Sequence, residues 1–349
     1  MRIAGVASAF PEYEYDQETL LRAFLAHWGE RLENPRFFER LHNRVGVETR
    51  HIALPIEEYP GLKSWGAANN HWIRVAVNLS EQCLGTALER AGLETSRLGA
   101  IFFVSVTGIA SPSVEARLMN RMRLPVNIKR IPIFGLGCVA GAAGIARAAD
   151  YVKAFPEQVA AVISVELCSL TLQQDDFSMA NLISTGLFGD GAAAVLVSGD
   201  NVPAGGPRIL ATKSIFYPNS EHVMGWDISE RGFRIVLSKE VPEVVETHLA
   251  SDVDAFLGEH GLQRADIGCF VIHTGGPKVL EATQAALELP PGALEPSWEC
   301  LRRMGNLSSA SVLCVLEEIQ LHRQPPAGTW GLLAAMGPAF CSELLLLRW

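Results

Sequence analysis

The chain is short of charge for its size and has no surplus of positive charge. Charged residues make up 19% of its 349 residues, and the net charge is −9. That balance argues against nucleic-acid binding as the main role, because phosphate backbones are held by clustered lysine and arginine. A local basic patch facing a small anion is still compatible with it. No apolar run is long enough to span a membrane. The start, Met1-Arg2-Ile3-Ala4-Gly5-Val6, has the pattern of a strand rather than of a secretory leader. The seven cysteines are Cys83, Cys138, Cys168, Cys269, Cys300, Cys314 and Cys341. They form no C-x-x-C pair and their number is odd, which speaks against a zinc site or a disulfide framework. A reduced, cytoplasmic protein without a metal is expected. Most of these cysteines lie in apolar runs, where a free thiol behaves as a small core residue.

Hydrophobic residues, at 48%, are plentiful enough for a large buried core. Helical patterns cover Gln17 to Trp28, Trp72 to Ala91, Glu115 to Met122, Ala140 to Val152, Val241 to Gly258, Pro277 to Ala286 and Ser309 to His322. Strand-like runs cover Gly99 to Val106, Val159 to Ser164, Ala192 to Val197, Gly268 to His273, Gly331 to Ala335 and Cys341 to Leu347. The alternation predicts an α/β fold with sheets covered on both faces. The segment Asn201-Val202-Pro203-Ala204-Gly205-Gly206-Pro207 breaks the chain near its middle, giving halves 1–203 and 204–349. A weak repeat links Ile101 to Gly108 with Cys269 to Gly276 and points to a duplication.

Three residues at the ends of elements carry the chemistry. Cys138 follows the apolar run Ile131 to Phe134 and a Gly-Leu-Gly turn, and precedes a small-residue helix. A helix N-terminus favours the thiolate, the nucleophilic form of cysteine. His273 ends an apolar strand and opens Thr274-Gly275-Gly276-Pro277-Lys278. Asn306 stands in Met304-Gly305-Asn306-Leu307-Ser308-Ser309-Ala310, ahead of another helix, where it can also serve as a cap. One Cys, one His and one Asn so placed form the pattern of cysteine-based acyl transfer.

Taken with Leu187-Phe188-Gly189-Asp190-Gly191 and Lys239-Glu240-Val241-Pro242, these motifs resemble the chalcone synthase-like type III polyketide synthases of the thiolase superfamily. The resemblance runs over nearly the whole chain. His-x-Gly-Gly-Pro-Lys is its sharpest element. Plant members have Gly-Phe-Gly-Pro-Gly where this chain has Ala335-Met336-Gly337-Pro338-Ala339, which points to a bacterial-type branch.

The resemblance implies a thiolase-like duplicated αβαβα five-layered fold, a homodimer, and no cofactor beyond the coenzyme A thioesters it consumes. It implies that Cys138 takes an acyl group from acyl-coenzyme A. His273, as imidazolium, would hold Cys138 as thiolate. His273 and Asn306 would stabilise the enolate formed when malonyl-coenzyme A loses carbon dioxide. Cyclisation would follow repeated extension. Phe188 would be the gate between the coenzyme A tunnel and the cavity. Val106, Cys168, Thr171 and Ser308 would line that cavity, joined by residues around Gly225 to Arg234. Gly337 and Pro338 would flank the cysteine, and Ser111 would reach a partner subunit's cavity. Arg44, and second Arg50, would meet coenzyme A phosphates, while Lys278 reads as a structural or capping residue. Val106 and Cys168 replace threonines of the plant enzymes, so a fatty acyl starter and an alkylpyrone or alkylresorcinol product are expected. Cys168 reads as core, with a second reactive thiol as the alternative. A single-condensation ketoacyl synthase III-like enzyme fed by an acyl carrier protein is the first rival. A silent partner in a heterodimer is the second.

Overall fold

Residues 1–349 are described by a computed structural model. In chain order the strands are β1 (Arg2–Ala9), β2 (Tyr13–Asp16), β3 (Thr49–Ile52), β4 (Leu98–Val104), β5 (Lys129–Ile133), β6 (Val159–Leu167) and β7 (Asp190–Ser198). Then follow β8 (Arg208–Phe216), the hairpin β9 (Met224–Ser229) and β10 (Gly232–Leu237), β11 (Ile267–Ile272), β12 (Trp330–Gly337) and β13 (Cys341–Arg348). The helices are α1 (Gln17–Trp28), α2 (Pro35–His42), α3 (Trp65–Ala91), α4 (Val114–Arg121) and α5 (Ala140–Ala154). They continue with α6 (Met179–Leu187), α7 (Val241–Gly258), α8 (Pro277–Ala286), α9 (Glu295–Met304) and α10 (Ser311–Glu318).

Nine strands form one hydrogen-bonded series, β11-β12-β13-β8-β1-β7-β6-β4-β5. Its two halves meet where β1 touches β8, at Arg2 opposite Arg208. Read outward from that seam, β1-β7-β6-β4 and β8-β13-β12-β11 match strand for strand. The senses match as well, with β4 parallel to β6 and β11 parallel to β12. The weak repeat falls on β4 and β11, which are equivalent strands in this scheme. β5 has no counterpart, so the second half-sheet stops at β11.

Helix α3 packs on β1, β6 and β7, while α7 and α8 pack together beyond β13. Between the half-sheets lie α5 and α10, each touching strands of both. The result is the thiolase-like order of helix, sheet, paired helices, sheet, helix. The layering explains the sequence pattern of the inner strands. Every residue of β6 (VAAVISVEL) and β7 (DGAAAVLVS) is buried, so apolar runs replace alternation.

Three helices escape periodicity: α2, α6 and α9 are each ten residues or shorter. Helix α3 begins earlier than expected, because the Ser64 side chain caps it by accepting from the Ala67 amide at 3.2 Å. The last expected helix is split. A 3-10 turn, Ser308–Ala310, precedes α10, and a π-helical turn, Ile319–Arg323, follows it. No helix is long and apolar enough to cross a membrane.

Candidate active site

The duplication sets the site. Cys138 lies in the 3-10 turn Gly137–Val139 before α5, and Asn306 just ahead of the matching turn before α10. The two helix N-termini are brought almost into backbone contact. A Cβ at Gly141 would collide with the Ser309 carbonyl oxygen, so only glycine allows this approach. His273 arrives from β11, its amide donating to the Ala334 carbonyl at 3.1 Å.

Cys138, His273 and Asn306 line one chamber of about 410 Å³. The Cys138 Sγ lies 3.5 Å from the Ser308 hydroxyl oxygen. The Asn306 Oδ1 accepts from the Ser308 amide at 2.8 Å and from the Ser311 hydroxyl at 3.4 Å. Its oxygen is therefore engaged, which orients the side-chain NH₂ as the free donor. Burial pushes the Cys138 thiol up to about 12 and His273 down to about 4. The positive end of α5 acts the other way on the sulfur. Moving the Cys138 proton to His273 creates both charges together, which costs less than creating either alone.

Phe188 borders this chamber and also a second one of about 130 Å³. Cys168 and Thr171 line the second chamber. The β9–β10 hairpin roofs both: Met224 and Leu237 border the first, Trp226 and Ile235 the second. Arg44 is exposed at the rim of the first chamber, joined there by Lys239 and Lys278. Lys278 is thus a rim cation rather than a loop support. Gly337 and Pro338 back the nucleophile's turn, with Pro338 packed on Gly137.

Two expectations, those for Val106 and Arg50, need correction. Val106 lines neither chamber; it is buried beneath them, and its amide donates to Glu166 at 3.1 Å. Ser111 lies in an exposed loop after β4, away from the chambers of its own chain. Arg50 does not face coenzyme A. It is 2% exposed and donates to the Phe188 carbonyl at 2.9 Å and to the Thr185 carbonyl. Cys168 is half-buried and lines the second chamber, as expected, and burial raises its thiol as it does that of Cys138.

Glu166 was missed by sequence reasoning. It is fully buried at the end of β6 and accepts from Ser105, Thr107 and Ser309 hydroxyls and the Val106 amide. Burial pushes it up to about 7. A carboxylate inside the run VAAVISVEL was the available signal.

Ala339 adopts φ +93°, in the left-handed region, where the plant motif has glycine. Ala339→Gly is expected to stabilise the protein by roughly 1 kcal/mol. A denaturant midpoint that stays put or falls would contradict this.

The comparisons agree with the geometry. The family model "Chalcone and stilbene synthases, N-terminal domain" matches residues 2–201, and the C-terminal domain model matches 208–349. The 1,3,6,8-tetrahydroxynaphthalene synthase of Streptomyces peucetius subsp. caesius is 49% identical, covering 99% of this chain and 93% of that protein. Phloroglucinol synthase of Pseudomonas fluorescens is 32% identical over 97% of each. The crystal structure of 1,3,6,8-tetrahydroxynaphthalene synthase from Streptomyces coelicolor A3(2) superposes with a TM-score of 0.95. It is 33% identical, with 100% of this chain and 99% of that chain covered. These matches decide against the single-condensation ketosynthase. The chain belongs to the chalcone and stilbene synthase family and is a type III polyketide synthase of the bacterial kind.

Proposed function

We propose that this enzyme builds a short aromatic polyketide from malonyl-coenzyme A alone, in the manner of the tetrahydroxynaphthalene synthases. The observation that carries the chemistry is the meeting of Cys138, His273 and Asn306 on one chamber. The Cys138 sulfur attacks the starter thioester as His273 takes its proton. That proton leaves with the coenzyme A thiol. Malonyl-coenzyme A then loses carbon dioxide, and its electron pair becomes an enolate. The His273 ring and the Asn306 NH₂ stabilise the enolate oxygen as its charge develops. The enolate carbon attacks the thioester on Cys138, and the sulfur departs to be loaded again. The cycle uses no metal and no redox cofactor. Arg44, Lys239 and Lys278 meet the phosphates of coenzyme A at the rim.

The second chamber supports the short chain. At about 130 Å³ it is the smaller of the two, against about 410 Å³ for the chamber with Cys138. Among its lining residues Thr171, Gln174 and Ser184 offer polar groups to carbonyl-bearing intermediates. The eleven hydrophobic ones favour a second reading, a fatty acyl starter leading to an alkylpyrone or alkylresorcinol.

We assign the working unit as a homodimer. Ser111 lies beside Ile109, an exposed apolar residue on the same loop, which suits a partner's surface. Seven free cysteines suit the reducing cytoplasm. An acyl carrier protein is retained as a second thioester donor to test. Mass spectrometry of products is the experiment, with malonyl-coenzyme A alone and then with hexanoyl-, lauroyl- and coumaroyl-coenzyme A. Tetrahydroxynaphthalene from malonyl-coenzyme A alone is expected. Pyrones or resorcinols formed only with fatty starters would replace it by the second reading. No product under any condition would overturn both and restore the silent partner.

A further inference from the structure

We propose that Arg50 is a positioning residue for Asn306, acting through the backbone of residues 187–189. This rests on the role given to Asn306 above. Arg50 comes from β3, is 2% exposed and borders the second chamber. One Nη donates to the Phe188 carbonyl and the other to the Thr185 carbonyl. Both carbonyls belong to the C-terminal end of α6, where a helix has no acceptor partners of its own and favours a cation.

The same turn is laced to Asn306. The Asn306 amide donates to the Leu187 carbonyl at 2.9 Å, and the Gly189 amide donates to the Asn306 carbonyl at 3.1 Å. Phe188 and Asn306 thus pair as a short parallel bridge. The packing leaves no slack. A Cβ at Gly189 would collide with the Met304 carbonyl and lie 3.2 Å from the Arg50 Cβ. A Cβ at Gly305 would lie 2.8 Å from the Leu187 carbonyl. Arg50, the turn and the Asn306 backbone therefore move as one body.

The cation itself is held at a cost. Its Nε is buried without a partner, and Asp190 supplies opposite charge from nearby. A lysine ammonium has three donors on one atom and lacks the two separated, coplanar Nη groups that span these carbonyls. Cys138, by contrast, is held by α5 and by the Gly337–Pro338 corner, with no bond to Arg50's turn. Arg50 should thus govern the step that uses Asn306 and not the loading of Cys138.

Two reactions separate these steps: acylation of Cys138, read by intact mass, and malonyl-coenzyme A decarboxylation, read by acetyl-coenzyme A release. Both are run on Arg50→Lys, Arg50→Ala, Asn306→Ala and the double variant R50K/N306A. Arg50→Lys is expected to lower the decarboxylation kcat about tenfold or more, with KM and acylation held within about twofold. The double variant should be no slower than Asn306→Ala, because Arg50 acts through Asn306. Equal losses in both reactions, or multiplying losses in the double variant, would overturn the inference. If Arg50→Ala does not fold, Arg50→Lys decides by the same ratio. Wild-type decarboxylation by Asn306→Ala would instead sink the reading of Asn306, and with it the premise.

Discussion

Cys138→Ala is expected to lower polyketide formation by at least about 10⁴-fold, because the variant has nothing to carry the growing chain. Cys138 is the sulfur at the N-terminus of α5, beside Ser308 and on the chamber with His273. Cys168 cannot stand in for it, since it lines the second chamber and does not share a chamber with His273 and Asn306. Decarboxylation should survive, because His273 and Asn306 remain. The expected pattern is therefore acetyl-coenzyme A without polyketide, and no acyl adduct on the protein. Polyketide made at a tenth of the normal rate or faster would show that Cys138 is not the nucleophile.

Asn306→Ala should lower both decarboxylation and product formation by about 10²–10³-fold, the usual loss when one fixed donor to a developing oxyanion is removed. Alanine also removes the acceptor for the Ser308 amide, which should destabilise the local turn by about 1 kcal/mol. Asn306→Asp tells the two effects apart. A carboxylate can still accept from Ser308 and Ser311, but it offers no NH₂ and places charge against the enolate. Stability should therefore return in Asn306→Asp while activity does not. Recovery of activity together with stability would show that Asn306 only shapes the turn.

The chemistry was legible because it sits at the ends of elements. Glycine-rich turns around Cys138, His273 and Asn306 interrupt apolar runs, and such interruptions are visible in one dimension. Helices α1, α7 and α8 have the expected bounds: Asp16 caps the first, and a proline in the first turn marks the start of the other two. What stayed hidden depends on groups far apart in sequence. Arg50 looks like any surface arginine until the carbonyls of Thr185 and Phe188, well over a hundred positions away, close on it. Glu166 is one acid among many until Ser105, Thr107 and Ser309 converge on it. Val106 was misplaced for a related reason. The chain leaves β4 at Val104, and its path beyond is fixed by Glu166, sixty positions on, which accepts from the Val106 amide.

The unequal halves of the sheet have a consequence for solubility. The series ends at β5 in the first half and at β11 in the second, and each end leaves a row of backbone groups that no strand pairs. Open edges of this kind recruit other chains and seed aggregates. The groove beside β11 is bordered by Pro290, Pro296, Pro325 and Pro326, with Arg264 and Glu288 among them. Proline lacks the amide that an added strand would need, and charge at the groove resists a dry interface. Loops that look incidental to catalysis thereby keep a concentrated enzyme from pairing with itself edge to edge.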